Sequence, residues 1–215
     1  MTADALLELL RSRRSVRRFA ARPVERAHLE PLFEAARVAP SATNRQPWRY
    51  NAVLSPSLKR AIVDAVRART EALRDRLRGS EYLAELSAYG DFFWEPLDAA
   101  PAIVVPQYRL FPDAIAQLVA RAGGDPSEFA LAPRMPSEIC GAAASAMNLL
   151  VMAHASGMAA CWMAGPMLAR DEIARLLEIP SPWVPLGAIA IGFPDENAPA
   201  APPRKTTERI VEWNE

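Results

Sequence analysis

The sequence predicts a single folded domain in which α-helices surround a few buried β-strands. The chain has 215 residues, 51% of them hydrophobic, which is enough for one well-filled core and does not require a second domain. Several segments show helical periodicity, and two short apolar runs, 101–106 (PAIVVP) and 184–192 (VPLGAIAIG), are typical of buried strands. Residues 158–163 form a weaker third candidate strand. No repeat or linker divides the chain, so residues 1–215 are expected to fold as one unit.

Two short amphipathic helices are predicted near the N-terminus. Thr2 can cap a helix whose leucines at 6, 7, 9 and 10 precede an arginine cluster at 11–18. A second helix is expected over about 26–38, although Pro31 indicates that it begins later or is kinked. Its core face is formed by Leu29, Leu32, Phe33 and Ala36.

Two longer helices are predicted further along the chain. Residues 57–78 and 137–156 are each followed by a glycine, Gly79 and Gly157, which is the favoured residue just after a helix. The segment 137–156 is apolar almost all round, so it is expected to be buried on every side. Packing against its symmetry mate in a homodimer would bury it, and so would a central position in a monomeric α/β domain.

The composition excludes several classes of protein. The 25 basic and 25 acidic residues balance, so the overall charge does not favour nucleic acid or an anionic membrane. The N-terminus lacks the basic region of a secretory signal and no run of about 18 apolar residues follows, so a cytoplasmic location is expected. Cys140 and Cys161 form no metal-binding pattern and are expected to be reduced, buried thiols. His28 is expected on a helix surface and His154 as a hydrogen-bonded core residue, so neither a metal site nor a hydrolase site is predicted.

Basic residues concentrate after the first predicted helix and after a proline-rich segment that begins an extended C-terminal arm, 194–215. No GxGxxG or GxxxxGK[ST] motif is present, so a bound phosphate would depend on side chains, for which the planar guanidinium of arginine is well suited. A solvated patch or a weak nucleic-acid contact explains the first cluster equally well. The candidate anion ligands are Arg13, Arg14, Ser15, Arg17, Arg18, Arg204 and Lys205.

The segment 39–49 (APSATNRQPWR) is a second candidate site. Asn44 and Gln46 offer paired donors and acceptors, which suit the edge of a flat heterocycle with alternating N and C=O groups. A rigid turn in which Trp48 fills the core accounts for the same residues.

Segments from the start, the middle and the end of the chain together resemble the nitroreductase family. RRSVRRF at 13–19 and EAARVAPSATNRQPWRY at 34–50 follow each other as in the opening of that family. HASGMAACWMAGPM at 154–167 is similar to its second flavin-contacting loop, and GAIAIGFP with the later Arg204 and Lys205 is similar to its last strand and phosphate-binding tail. The resemblance implies an α+β sandwich with a mostly antiparallel sheet wrapped by helices, forming an intertwined homodimer with two non-covalent FMN sites at the interface.

The resemblance also implies roles for individual residues. Family members bind the FMN phosphate and ribityl chain with residues that match Arg13, Arg14, Ser15 and Arg17 of the first cluster and the late Arg204. One residue of the first cluster approaches the pyrimidine side of the flavin ring in the family. Some members carry an acidic residue in place of Ala164 and a lysine in place of Pro202, so this chain departs from them there. The resemblance implies that the flavin ring is contacted by Asn44, Gln46, Met163, Ala164 and Gly165. The last three belong to a loop whose backbone N–H faces flavin N5 and O4 in the family.

The implied reaction is a ping-pong hydride transfer from NADH or NADPH through flavin N5 to an organic acceptor such as a nitroaromatic or a quinone. It needs no acid–base residue on the protein, and Arg14 or Arg17 near flavin N1 and O2 would stabilise the reduced anion. Relatives on this scaffold with other chemistries are the alternatives: enone reduction, dehydrogenation, reductive dehalogenation and oxygen-dependent breakdown of the flavin. A non-enzymatic binding module is a further alternative.

The segment 80–135 matches no known motif and is expected to contribute the acceptor pocket and its cover. Its aromatic residues are Tyr82, Tyr89, Phe92, Phe93, Trp94, Tyr108 and Phe111. A planar acceptor stacked on a flavin needs aromatic walls, which loops on a rigid scaffold commonly supply, although core packing explains about half of these residues. The candidate pocket residues are Phe92, Phe93, Trp94 and Tyr108.

Overall fold

A computed structural model of the chain describes residues 2–87, 90–129, 136–196 and 202–214. Its centre is a five-stranded sheet with strand order β1-β2-β5-β3, and β4 pairs with β2 beside this path. All of these pairings are antiparallel, as the predicted α+β fold requires. The strands are β1 Trp48–Val53, β2 Ala102–Tyr108, β3 Ala159–Met163, β4 Val184–Pro185 and β5 Ala188–Gly192.

The described residues form eight α-helices around this sheet: α1 Ala3–Ser12, α2 Arg26–Arg37, α3 Pro56–Leu77, α4 Leu83–Ser87, α5 Glu95–Ala99, α6 Ala114–Arg121, α7 Ser137–Ala155 and α8 Arg170–Leu176. Short 3₁₀ turns lie at Ala42–Asn44, Gly90–Phe93, Gly165–Ala169 and Thr207–Arg209. The predicted glycine caps are confirmed, since Gly79 and Gly157 have φ values of +82° and +70°.

The sheet is buried on both faces because alternate residues of each strand point to opposite sides. On β2, Ile103 and Val105 join a cluster with residues of α3 and α8, whereas Ala102 and Val104 join a second cluster with residues of α2 and α7. The apolar run predicted as a buried strand therefore has no polar face. The sheet thus holds α7 on one side and α3 on the other.

Pro31 does not delay the start of α2. The helix begins at Arg26, where the Glu25 and His28 side chains form a reciprocal capping box, and it continues through Pro31. Pro31 is the sixth residue of the helix and lies beyond its first turn, so it lacks the N–H that would donate to the carbonyl of residue 27. The expectation of a later start was therefore wrong.

Helix α7 is buried on one side only within the single chain. It packs on α2 and the sheet with residues that include Gly141, Ser145 and Leu149, while Met147 is 40% exposed and Cys140 is also exposed. The expectation that Cys140 is buried was therefore wrong for one chain, whereas Cys161 is buried as predicted. By length and composition α7 could also span a membrane, and 44% of its 18-residue apolar window is buried inside the fold.

Two features of the sheet differ from the prediction. Strand β1 was not predicted, because Trp48 was assigned to the turn 39–49. Its Trp48 and Tyr50 alternate with Arg49 and Asn51, as is typical of a half-buried strand, and it lies at one edge of the β1-β2-β5-β3 path. The predicted strand 184–192 is divided into β4 and β5, and the Leu186 N–H between them donates to the Pro106 carbonyl. A side chain at Gly187 would collide with the Trp162 indole, so the connection between β4 and β5 requires glycine at this position.

The C-terminal arm is described over 194–196 and 202–214, and residues 197–201 lie outside the described residues. Pro194 forms an antiparallel bridge with Phe19, and the later part packs against the end of α1. Ile210 and Trp213 are 68% and 81% exposed, so the arm leaves apolar surface uncovered in the single chain.

Candidate functional site

The first arginine segment, residues 13–18, lies along the edge of β3 that does not pair with β5. Ser15 forms a parallel bridge with Ala160, and the Val16 N–H donates to the Ala160 carbonyl at 3.1 Å. Helix α1 ends at Ser12, so the arginines follow it directly and are held beside β3. Two of the segments that resemble the family, 13–19 and 154–167, are therefore neighbours.

Arg204 joins this segment from the far end of the chain. Its guanidinium donates to the carbonyl oxygens of Leu10, at 3.1 Å, and Arg13. In return, Arg14 Nη1 donates to the Pro202 carbonyl at 3.0 Å, so the position that departs from the family contributes its backbone. Lys205 is exposed and has no hydrogen bond or ion pair within the described part of the chain.

Among the described residues, no carboxylate neutralises the arginines of this cluster. Burial and the charges of Arg204 and Arg14 lower the pKa of the Arg13 guanidinium. No carboxylate of the described residues forms an ion pair with this group of four arginines, which comprises Arg13, Arg14, Arg17 and Arg204. Crowded guanidinium groups without counter-charges favour an anionic ligand.

A cavity of about 790 Å³ opens beside the arginines. Arg14, Ser15 and Arg17 line it, together with Phe92 and His154. The His154 Nε2 atom lies 2.9 Å from Ser12 Oγ, and burial together with the charge of Arg13 lowers the pKa of the imidazole. Ser12 and His154 were not predicted as site residues; a serine inside the RSRRS run and a histidine three residues before the glycine that ends α7 were the only signals.

The loop after β3 is the second part of the site. Met163 is buried at the end of the strand, Ala164 is exposed, and Gly165 begins the following 3₁₀ turn. The Gly165 Cα faces the Phe93 ring so closely that a Cβ there would lie 2.2 Å from Phe93 Cδ1. Burial raises the pKa of the Cys161 thiol on the same strand, although Arg17 and Arg13 lie near enough to oppose that shift.

The candidate pocket aromatics have different surroundings. Phe92 is 53% exposed, lines the cavity and lies 6.0 Å from the Arg17 guanidinium. Phe93 and Trp94 pack against the core cluster that includes residues of α3. Tyr108 is half-buried at the end of β2 opposite Trp48 and does not line the cavity, while Tyr89 lies outside the described residues.

The turn before β1 has an unusual backbone. Thr43, Asn44 and Gln46 all have positive φ values, of 49°, 53° and 47°, which side chains other than glycine and asparagine rarely adopt. Gln46 Nε2 donates to Asn44 Oδ1 at 3.1 Å, and the Gln46 N–H donates to Ser41 Oγ. Both amide side chains are exposed, so the strained turn presents them at the surface.

Comparison with known proteins identifies the fold family. The model of the Nitroreductase family matches residues 10–193. The chain belongs to the nitroreductase family. A 5,6-dimethylbenzimidazole synthase from Rhodobacter capsulatus is 29% identical over 195 residues, which cover 89% of this chain and 84% of that protein.

Solved structures share the nitroreductase fold. A BluB-like flavoprotein from Clostridium difficile has a TM-score of 0.83 at 20% identity, covering 98% of this chain and 99% of that chain. The FMN- and NADPH-dependent nitroreductase NfnB from Sphigopyxis sp. strain HMH has a TM-score of 0.71 at 22% identity, covering 98% and 99% of the two chains. This chain is therefore a nitroreductase-fold protein over nearly its whole length.

Within one chain of this nitroreductase-family protein, the predicted ring contacts lie at opposite edges of the β1-β2-β5-β3 path. Asn44 precedes β1 and Gly165 follows β3, and these are its two outer strands. Three inter-strand steps separate them, which is about 14 Å across the sheet. Within the single chain the arginines meet β3 at Ala160, and neither Gly165 nor Asn44 is in the lining of the cavity beside them. No group of three or more potential metal ligands occurs in the described ranges.

Proposed function

We propose that this protein is an FMN-dependent oxidoreductase. The observation that carries the proposal is the crowding of Arg13, Arg14, Arg17 and Arg204 without a carboxylate partner in the described part of the chain, beside a cavity of about 790 Å³. Keeping unpaired guanidinium groups close together costs free energy, which a bound dianionic phosphate offsets by charge-assisted hydrogen bonds. The donor set thus fits the phosphate of FMN.

Two groups of residues would bind different parts of the flavin. Arg13, Ser15 and Arg204 would hold the phosphate and the ribityl chain, because they meet at the end of α1 and the edge of β3. The backbone of Ala164 and Gly165 would face the ring. Bound FMN supplies the redox chemistry by accepting hydride from NADH or NADPH and passing it to an organic acceptor. Arg14 or Arg17 would stabilise the negative charge of the reduced ring.

The complete site is proposed to contain two copies of the chain. Asn44 and Gln46 cannot reach a ring held at Gly165 of their own chain, because two strands lie between them. A second copy supplies them if its β1 edge approaches the first copy's cavity. Uncovered apolar residues are available for such an interface: Leu6, Leu7 and Leu10 of α1 are 39%, 45% and 37% exposed, and Trp213 of the arm is 81% exposed. Sedimentation is expected to give a homodimer, and a flavin-bound monomer at micromolar concentration would contradict this arrangement.

The acceptor is proposed to be a small aromatic or quinone-like molecule. The protein itself is proposed to be cytoplasmic. Phe92 lines the cavity and is exposed there, so its ring can stack on a planar acceptor. Phe93, Trp94 and Tyr108 are not in the lining, so their contribution would be indirect.

Cofactor content tests this proposal directly. Purified protein is expected to show flavin absorbance, with about one FMN per chain released by heat and identified by chromatography. NADH and NADPH should each be tested for anaerobic bleaching, followed by reoxidation with nitroaromatics, quinones and enones. A colourless protein that does not take up added FMN would refute the proposal.

Flavin fragmentation is the second candidate function. It is favoured by the similarity to a 5,6-dimethylbenzimidazole synthase over 89% of the chain. The two candidates predict different products: incubation with excess FMN, a reductant and oxygen would yield 5,6-dimethylbenzimidazole only if the flavin itself is consumed. Stoichiometric loss of FMN with formation of that product would replace the acceptor reaction as the proposed function, whereas intact FMN after many turnovers would exclude fragmentation.

A further inference from the structure

The turn Gly90–Phe93 contacts both flavin-binding segments of the same chain. Phe92 and Phe93 are adjacent in this turn, and their side chains go to different places. Phe92 is exposed at the cavity, 6.0 Å from the Arg17 guanidinium, whereas Phe93 packs against the core and against Gly165. Consecutive residues of a 3₁₀ turn point about 120° apart, so the position of one ring constrains the other.

Gly165 has no conformational need to be glycine. Its φ lies outside the positive range, unlike those of Gly79 and Gly157. Its environment does exclude a side chain, because a Cβ would lie 2.2, 2.7 and 2.9 Å from three atoms of the Phe93 ring. A phenylalanine ring wedged against the core cannot yield as a flexible side chain can, so any Cβ would displace it.

We propose that Phe93 is a positioning residue that sets the place of Phe92 at the cavity, and that residue 165 is glycine in order to seat the Phe93 ring. The flavin loop and the cavity wall then move as one unit, because the ring joins Gly165 to the turn that carries Phe92. The inference rests on the proposed function for the identity of the ligand in the cavity, but the contact itself does not.

The contact is tested by thermal unfolding of four proteins: the natural chain, Gly165→Ala, Phe93→Ala and Gly165→Ala/Phe93→Ala. Overpacking in the natural background is expected to lower the melting temperature of Gly165→Ala by about 3 to 10 °C. In the Phe93→Ala background the added methyl group should cost nothing. An equal loss in both backgrounds would overturn the steric explanation. If Phe93→Ala does not fold, Phe93→Leu is used instead; because leucine keeps the Cγ atom but is smaller and less rigid than the ring, Gly165→Ala should then cost less than in the natural background, and an equal loss would again overturn the explanation.

The positioning role is tested by steady-state kinetics of the flavin-loaded protein. Phe92→Ala and Phe93→Ala are each expected to raise the acceptor KM by about 2-fold to 10-fold with little change in kcat and in the flavin spectrum. The double variant should resemble Phe92→Ala, because Phe93 acts through Phe92. Multiplicative effects, or an unchanged KM in Phe93→Ala, would overturn the role. Failure of the natural chain to bind flavin would refute the proposed function and the role together, while the unfolding comparison would still decide the contact.

Discussion

Arg204 donates a hydrogen bond to the carbonyl oxygen of Leu10 at 3.1 Å, across 194 positions of sequence. The carbonyls in the last turn of a helix carry partial negative charge and lack intrahelical partners, so an arginine there stabilises the end of α1. The same contact places Arg204 beside Arg13. The arm and the first arginine segment are therefore joined by direct hydrogen bonds.

Removing either arginine is expected to weaken FMN binding. Loss of a charge-assisted contact at a partly buried site costs about 1.5 to 3 kcal/mol, so Arg204→Ala and Arg13→Ala should each lower the affinity by roughly 10-fold to 150-fold. Flavin titration followed by fluorescence quenching measures this. Arg209→Ala is the matched control, because Arg209 is exposed on the same arm. Unchanged affinity in both site variants would place the phosphate elsewhere.

Mixing two defective homodimers is expected to restore flavin binding. If Asn44 acts on the partner's flavin, a heterodimer of Arg13→Ala and Asn44→Ala chains contains one site with both mutations and one intact site. Each heterodimer should recover about half of the natural FMN occupancy, because one of its two sites is intact; an equal mixture, in which about half of the dimers are heterodimers, should recover about a quarter. Subunit exchange under mild denaturant followed by flavin quantification measures it. No recovery after verified exchange would indicate that both residues serve one chain's site.

Trp94→Ala is expected to impair stability more than catalysis. The Trp94 indole packs on the core, the Arg67 guanidinium lies 4.0 Å from its centroid, and its Nε1 has no hydrogen-bond partner among the described residues. Truncation of a largely enclosed tryptophan should cost about 2 to 4 kcal/mol of unfolding free energy. Chemical denaturation measures this, and Phe92→Ala is the control because its ring is 53% exposed. A normal stability with a changed acceptor KM would instead assign Trp94 to the pocket.

Acidification is expected to destabilise the flavin-free protein through His154. Burial and Arg13 lower the pKa of this imidazole in the folded state, so the unfolded chain binds the proton more readily. The neutral imidazole therefore contributes stability above its unfolded pKa of about 6.5, and this contribution is lost as pH falls through the folded pKa. His154→Gln should reduce the loss of unfolding free energy between pH 7.5 and pH 5.5, taken as roughly one unit either side of that pKa.

Bound FMN should also reduce the loss of unfolding free energy on acidification. The reason is that a phosphate dianion beside Arg13 offsets the positive charge that lowers the His154 pKa. Urea unfolding at the two pH values, with and without FMN, measures both effects. Identical pH dependence in the natural chain and His154→Gln would exclude this histidine as the cause.

The arginine segment and the 39–49 turn were predictable because their side-chain chemistry is local in sequence. The roles of Phe92, Phe93 and Trp94 were not, since three consecutive aromatic residues carry no periodicity that separates an outward ring from inward ones. The structure sends Phe92 to the cavity and Phe93 to Gly165. Strand β1 was missed for a different reason: Trp48 and Tyr50 alternate with Arg49 and Asn51 as in a half-buried strand, but Trp48 had been assigned to the preceding turn.

The sequence by itself determined the helices with strong periodicity, the glycines that end α3 and α7, and the family whose motifs it carries, because each depends on residues that are neighbours in the chain. Only the tertiary structure decided that Arg204 reaches Leu10, that Phe93 occupies the space of a side chain at Gly165, and that Asn44 and Gly165 lie at opposite edges of the β1-β2-β5-β3 path. Those relationships join residues far apart in sequence. Their distances are set by strand order and by packing around both faces of the sheet, which no local pattern encodes.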